Sequence, residues 1–234
     1  MIPPWISIHY WCFKVNHEPD WSLDDVLEFL SSPRFRRPTL KDLTYKTVFL
    51  FGLATADRVS EIHSYLRGSS IQFDKNLKYV KIFPNAKFLA KKELPSARRQ
   101  PFYIPALMDK EGKNHSPVCP VLSLYMYLKA SRECKTPYLF VNPRTFSRAS
   151  KLVISQILRN TVKWACPNAY PNAYDVRAIS ATKAFFAAMR ISIIKKRASW
   201  KSGKVFTNHY LRKELNSDRS CISLRSKILS AFDW

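Results

Sequence analysis

The sequence predicts an α+β fold that is mainly helical, with a small β-hairpin or sheet on one edge. Three observations lead there. Apolar residues recur at helical spacing through most of the chain. Only the stretch between Leu77 and Pro105 has the β-branched and aromatic content of strands. The length, 234 residues, is enough for one main domain with a sizeable core. Hydrophobic residues at 46% and charged residues at 24% match ordinary globular usage, so the composition gives no reason to expect disorder.

Ser22-Leu-Asp-Asp25 has the spacing of a capping box and opens a short helix through Leu30 that buries Val26, Leu27 and Leu30, with the Pro33 region ending it. This segment, 1–38, is a helical lead-in ahead of a main domain at 39–215 and a tail at 216–234. Thr39-Leu-Lys-Asp42 is a second box, opening a longer helix to about Ala56 with Leu43, Val48, Leu50 and Leu53 inside. KYVKIFP and PFYIP read as two strands joined by a basic link carrying Lys87, Lys91, Lys92, Arg98 and Arg99. Leu122, Leu124, Tyr125 and Leu128 mark a helix after Pro120. Lys151 to Trp164 is another, burying Ile154, Ile157, Leu158 and Val162. Tyr174 to Met189 presents Ile179, Ala184, Phe185 and Ala188 to the core, leaving Lys183 and Arg190 for solvent or phosphate, and short helices follow around Ile193 and Phe206.

Charge is the unusual property. Lys and Arg number 39 against 17 acidic residues, a net +22, and such a field concentrates polyanions. Nucleic acid is the leading partner; an acidic membrane surface or acidic protein is the alternative, but no run of 18 apolar residues exists. Five widely spaced cysteines without a Cys-x-x-Cys pair argue against a disulfide framework and a zinc site. Four glycines exclude a glycine-rich phosphate loop, so nucleotide-triphosphate chemistry is not expected. The N-terminus lacks the pattern of a secretory signal, leaving cytosol or nucleus.

Moving a DNA phosphodiester without metal or nucleotide requires a nucleophile, cations for the non-bridging oxygens and an acid for the leaving 5′-oxygen. The chain offers each. Ala56-Asp-Arg58-Val-Ser-Glu61 places an arginine at a helix end with Glu61 three residues on to hold it. Tyr174-Asp-Val-Arg177 comes later; Trp200 lies 23 residues after Arg177, and Tyr210 ten after that, within Phe206-Thr-Asn-His-Tyr210-Leu-Arg212.

Arg-x-x-Glu, a basic hairpin, x-x-x-Arg, Trp and Tyr in this order resemble the tyrosine recombinase, or phage integrase, catalytic domain. The pattern is most similar to DIRS-type and related eukaryotic mobile-element recombinases, in Trp21 to Leu30, Lys46-Thr-Val-Phe-Leu50, Arg58-Val-Ser-Glu61-Ile, Phe88-Leu-Ala-Lys91 and Arg98-Arg99-Gln-Pro-Phe-Tyr-Ile-Pro105. The resemblance runs from about Trp21 to Arg212. It implies that Arg58 and Arg177 clamp the scissile phosphate and that Lys91, with Lys87 and Lys92 as neighbouring candidates, protonates the leaving oxygen. It also implies that Trp200 donates its indole N–H to the phosphate and that Tyr210 forms a 3′-phosphotyrosine link. Tyr174 stands where the family more often has His. A phenol titrating near ~10 accepts a proton poorly at neutral pH but can still donate a hydrogen bond.

The bland readings are a surface salt bridge for Arg58 and Glu61, core aromatics for Trp200 and Tyr210, and a solubilising loop for the hairpin cations. His209 reads as a solvated neighbour, and no metal or small-molecule cofactor is expected. The resulting expectation is a site-specific recombinase or integrase of a mobile element, acting on double-stranded DNA in the nucleus as a DNA-dependent homo-oligomer. The tail from Ser217, with Ile228, Leu229 and Phe232, is available to dock on a neighbour. The alternative is a catalytically decayed DNA-binding protein of the same descent, in nucleus or cytoplasm; a basic RNA-binding factor is a third reading.

Overall fold

The computed structural model describes residues 19–89, 100–187, 189–198, 202, 203, 206, 210 and 211. The chain runs α1 (Leu23–Ser31), a 3-10 turn at Pro33–Phe35, α2 (Leu40–Thr55) and α3 (Val59–Ile62). A second 3-10 turn at Gly68–Ser70 leads into β1 (Ile71–Phe73), β2 (Tyr79–Ile82) and β3 (Phe102–Pro105). Then come α4 (Pro120–Ala130), α5 (Lys151–Ala165), α6 (Ala173–Phe186) and α7 (Ile191–Arg197). It is mainly helical with one small sheet, as the hydrophobic pattern predicts.

Helix α2 is the axis. It is buried around nearly its whole circumference, inside the fold rather than on its surface. It packs against α4, α5 and α6, and its few polar side chains are used as joints. Thr47 Oγ1 donates to the Ser123 carbonyl of α4 at 3.1 Å, while Ser180 Oγ of α6 donates to the Leu53 carbonyl at 2.6 Å. Lys46 Nζ, buried, donates to the Leu30 carbonyl at the end of α1 at 2.7 Å. Burial without a carboxylate pushes that ammonium down to about 8.

The Thr39–Asp42 box forms on both sides: Asp42 N–H donates to Thr39 Oγ1 at 3.2 Å and Thr39 N–H to Asp42 Oδ2 at 3.1 Å. The box expected at α1 does not. Ser22 accepts from the Asp24 N–H at 3.1 Å, a one-sided cap, and Asp25 accepts instead from Cys166 Sγ at 3.9 Å. Val26, Leu27 and Leu30 are buried in the same core as α2 and α5, together with Trp21.

The sheet is antiparallel in the order β1-β2-β3, with Lys81 opposite both Gln72 and Tyr103. The β2–β3 pair is the expected hairpin, and β1 extends it. Ile71, Val80, Ile82 and Ile104 face the core, whereas Tyr79 and Tyr103 are exposed. In α4 the buried aromatic is Tyr127 rather than Tyr125, which is exposed. Tyr127 Oη accepts the Val141 N–H at 2.9 Å and donates to the Leu139 carbonyl at 3.2 Å, and burial pushes its phenol up to about 12. Among the described residues, no helix is long and apolar enough to cross a membrane.

Candidate active site

The site begins at the end of α2. Ala56 takes a left-handed backbone, φ 52° and ψ 28°, its N–H still donating to the Gly52 carbonyl at 3.0 Å. An alanine in that region costs of order 1–2 kcal/mol, so surrounding contacts must hold it there. The turn stops α2, and α3 starts three residues later, at Val59. The long helix ends at Thr55–Ala56, close to where the sequence places it, and Arg58, expected at that helix's end, is the N-cap of a new short one.

Glu61 occupies the third position of α3 and is 0% exposed. Its Oε2 accepts the Arg58 backbone N–H at 2.6 Å, and its Oε1 accepts Arg58 Nη1 at 2.9 Å. The spacing Arg-x-x-Glu thus works through a cap as well as an ion pair. The same carboxylate reaches Arg177: Arg177 Nη1 lies 3.3 Å from Glu61 Oε2. One buried carboxylate joins two arginines that lie far apart in sequence.

Arg177 sits on the second turn of α6, whose N-terminal cap is formed by Asn172 and Asp175: the Asn172 N–H donates to Asp175 Oδ2 at 2.8 Å. It is 2% exposed. Of its five N–H donors, Nη1 also serves the Ala56 carbonyl at 2.7 Å, and Nη2 serves the Ala198 carbonyl at 2.6 Å. Burial pushes the guanidinium below its ordinary value, while Glu61 pulls it back up. The two arginines therefore differ. Arg177 is an interior cation anchored to protein oxygens, while Arg58, its side chain 33% exposed, is the outer one.

Tyr210 meets Arg177 ring to cation, with the guanidinium carbon 5.2 Å from the ring centroid. The residue is buried with Phe206, Ile194, Ala198 and the alanines of α6 in a small second core. Its N–H donates to the Phe206 carbonyl at 2.8 Å, and its carbonyl accepts from Thr182 Oγ1 of α6 at 3.0 Å. Tyr174, one turn before Arg177, lies against Tyr210 with ring centroids 4.8 Å apart.

The structure thus brings together Arg58, Glu61, Arg177, Tyr174 and Tyr210. Lys87 is exposed at the base of the hairpin, its N–H donating to Asn85 Oδ1 at 3.0 Å. Asn85 Nδ2 donates in turn to the Ser64 carbonyl at 3.2 Å. The segment after β2 is therefore tied to the chain three residues from Glu61. Lys183 is half-buried; six residues beyond Arg177, it lies about 120° around the axis of α6 from it, on a different flank. Lys91, Lys92, Arg98, Arg99, Trp200, His209 and the tail from Ser217 lie outside the described residues.

Sequence reasoning missed Asp57, buried beside the arginines and accepting from Tyr65 Oη at 2.6 Å. Its position next to Arg58 was the available signal. It also missed Thr182, one turn after Ala178 on α6, for which no motif exists. Among the described residues, no group of three or more His, Cys, Asp or Glu could hold a metal ion.

No protein-family model matches the chain, and no curated protein matches it. Several solved structures do. XerA recombinase shares 18% identity, with a TM-score of 0.54 over 89% of this chain and 64% of that one. XerH site-specific recombinase bound to its difH substrate, in a pre-cleavage complex, shares 13% identity, with a TM-score of 0.59 over 84% of this chain and 51% of that one. The post-cleavage complex of XerH on palindromic difH shares 12% identity, with a TM-score of 0.56 over 83% and 50%. This chain spans between half and about two thirds of their lengths. The likeness shows the fold: a mainly helical domain with a small three-stranded antiparallel sheet, as in tyrosine recombinase catalytic domains.

Proposed function

We propose that this chain binds duplex DNA and cleaves and rejoins it through a 3′-phosphotyrosine at Tyr210. The observation that carries the reading is the junction of Arg58 and Arg177 on buried Glu61, with the Tyr210 ring against Arg177. A catalytic phosphate site needs preorganised cations that do not have to be collected at the moment of reaction. A buried carboxylate that holds one arginine inside and leaves the other partly exposed meets that need. The fold shared with recombinases solved on a difH substrate supports the same reading.

In this mechanism the Tyr210 phenol oxygen attacks phosphorus, the bond from phosphorus to the 5′-oxygen breaks, and the strand leaves as a 5′-hydroxyl. The phenol gives up one proton and the leaving oxygen gains one, so none is consumed overall. Arg58 is the cation placed to meet a non-bridging oxygen. Arg177 favours negative charge as it builds near the phenol. Lys91 is the proposed acid for the 5′-oxygen, Lys87, Lys92, Arg98 and Arg99 a phosphate track, and Trp200 a donor to the phosphate. A 5′-hydroxyl from another strand reverses the step. The context we propose is recombination of a mobile element in the nucleus, by protomers assembled on DNA.

A suicide duplex nicked beside the scissile position, or a mixed pool of duplexes where the site is unknown, tests the reading in the presence of a chelator. Wild type should form a denaturation-resistant protein–DNA adduct, and Tyr210→Phe should not. An adduct that persists in Tyr210→Phe would overturn the assignment. The second reading, a DNA-binding protein that has lost turnover, is motivated by Tyr174 at the position where the family more often has His. Salt-sensitive DNA binding with no adduct from wild type would favour it.

A further inference from the structure

Tyr174 and Tyr210 stand at opposite ends of the α6–α7 region, yet their rings meet at 4.8 Å between centroids and 33° between planes, a tilted stack. The two rings are not equivalent. Tyr174 is 43% exposed and Tyr210 is 6% exposed, so Tyr174 is the outer ring and covers the inner one. Arg177 packs on the Tyr210 ring at 5.2 Å from one turn farther along α6 than Tyr174. Thr182, farther along α6, holds the Tyr210 main chain through its carbonyl at 3.0 Å. One helix therefore fixes Tyr210 by ring, by cation and by backbone, and Tyr174 supplies the ring.

We propose that Tyr174 is a positioning residue for Tyr210, acting through the face of its ring and not through its hydroxyl. The proposal rests on the reading of Tyr210 as the nucleophile. A phenol can approach phosphorus in line only if its ring is held. The main-chain bond from Thr182 fixes the Cα but leaves χ1 and χ2 to side-chain packing, which Tyr174 provides on the solvent side. A benzene ring offers a larger face for this contact than an imidazole would. Misplacing a reacting atom by about an ångström costs on the order of 10²-fold in rate, which sets the size of the effect expected.

The test compares Tyr174→Phe, which keeps the ring, with Tyr174→Leu, which keeps bulk without an aromatic face. Two readouts are taken on folded protein of unchanged DNA affinity. The first is nitration of Tyr210 by tetranitromethane without DNA, read from the peptide mass. The second is the single-turnover rate of adduct formation against pH. Tyr174→Phe should match wild type in nitration, in rate and in pH profile. Tyr174→Leu should raise Tyr210 nitration several-fold and slow adduct formation by about 10²-fold. If Tyr174→Phe is as slow as Tyr174→Leu, or moves the pH profile, the hydroxyl is the working group and the proposal is overturned. It is equally overturned if Tyr174→Leu behaves as wild type. Should wild type form no adduct, the strand-transfer reading fails by itself. Nitration then decides the ring contact alone: a rise in Tyr174→Leu but not in Tyr174→Phe upholds it, and equal nitration sinks it.

Discussion

Glu61, itself fully buried, accepts hydrogen bonds from the Arg58 main chain, the Arg58 guanidinium and the Arg177 guanidinium. Removing one member of a buried ion pair leaves the other charge uncompensated, at about 3–5 kcal/mol. Glu61→Ala should lose stability of that order in urea unfolding; a loss below about 1 kcal/mol would put the pair in the class of surface bridges. Lys46 makes a prediction of the opposite sign to a paired charge. Its ammonium is held down to about 8 from an ordinary 10.5 by burial, so between those values the unfolded chain binds more protons than the folded one. Stability should rise with pH from about 8 to about 10.5, and Lys46→Met should flatten that rise, as read from urea midpoints. The Arg58–Glu61 link was legible in the sequence because three-residue spacing brings side chains to one helical face. The left-handed Ala56 was not, since nothing about an alanine signals φ above zero, and that turn decides that Arg58 begins a helix instead of ending one.

At the scale of the elements, α2 is where the fold and the site meet. Gly52 faces the crossing of α2 with α5 and α6: a Cβ there would lie 3.4 Å from Ile62 Cδ1, 3.6 Å from Leu158 Cδ2 and 3.7 Å from Val176 Cγ1. Alanine just fits and gains about 1 kcal/mol of helix propensity to set against a slight tightness. A branched chain must push the neighbours apart. Gly52→Leu should therefore cost about 1–3 kcal/mol by overpacking, while Gly52→Ala stays near wild type in thermal unfolding. Because Ile62 closes α3 and Val176 adjoins Arg177, the larger variant should also loosen the arginine pair. The long helices were legible from their periodicity, above all α5, whose Ile154, Ile157, Leu158 and Val162 are all buried. Strand β1 was missed because three residues, Ile71 to Phe73, are too few to show alternation. Tyr125, one of the apolar residues that mark α4, is exposed whereas Tyr127 is buried, because two aromatics two residues apart fall on opposite sides of a helix.

For the whole molecule, the excess of 22 positive charges is unevenly spread: no acidic residue occurs between Glu133 and Asp175, a stretch that includes all of α5. Such a field draws in polyanions from any direction and speeds encounter, but it does not choose the reaction. In the function proposed above, the choice falls to the convergence of α3, α6 and the Tyr210 segment, which the packing of α6 on α2 brings about. The central claim is that this convergence makes Tyr210 a nucleophile toward DNA. It is tested most directly by trapping wild-type protein on nicked duplex DNA, digesting both components and locating the residual phosphonucleotide by mass spectrometry. The account predicts the nucleotide on the peptide that carries Tyr210. A nucleotide on Tyr174, its stacking neighbour, or on any other residue would contradict it.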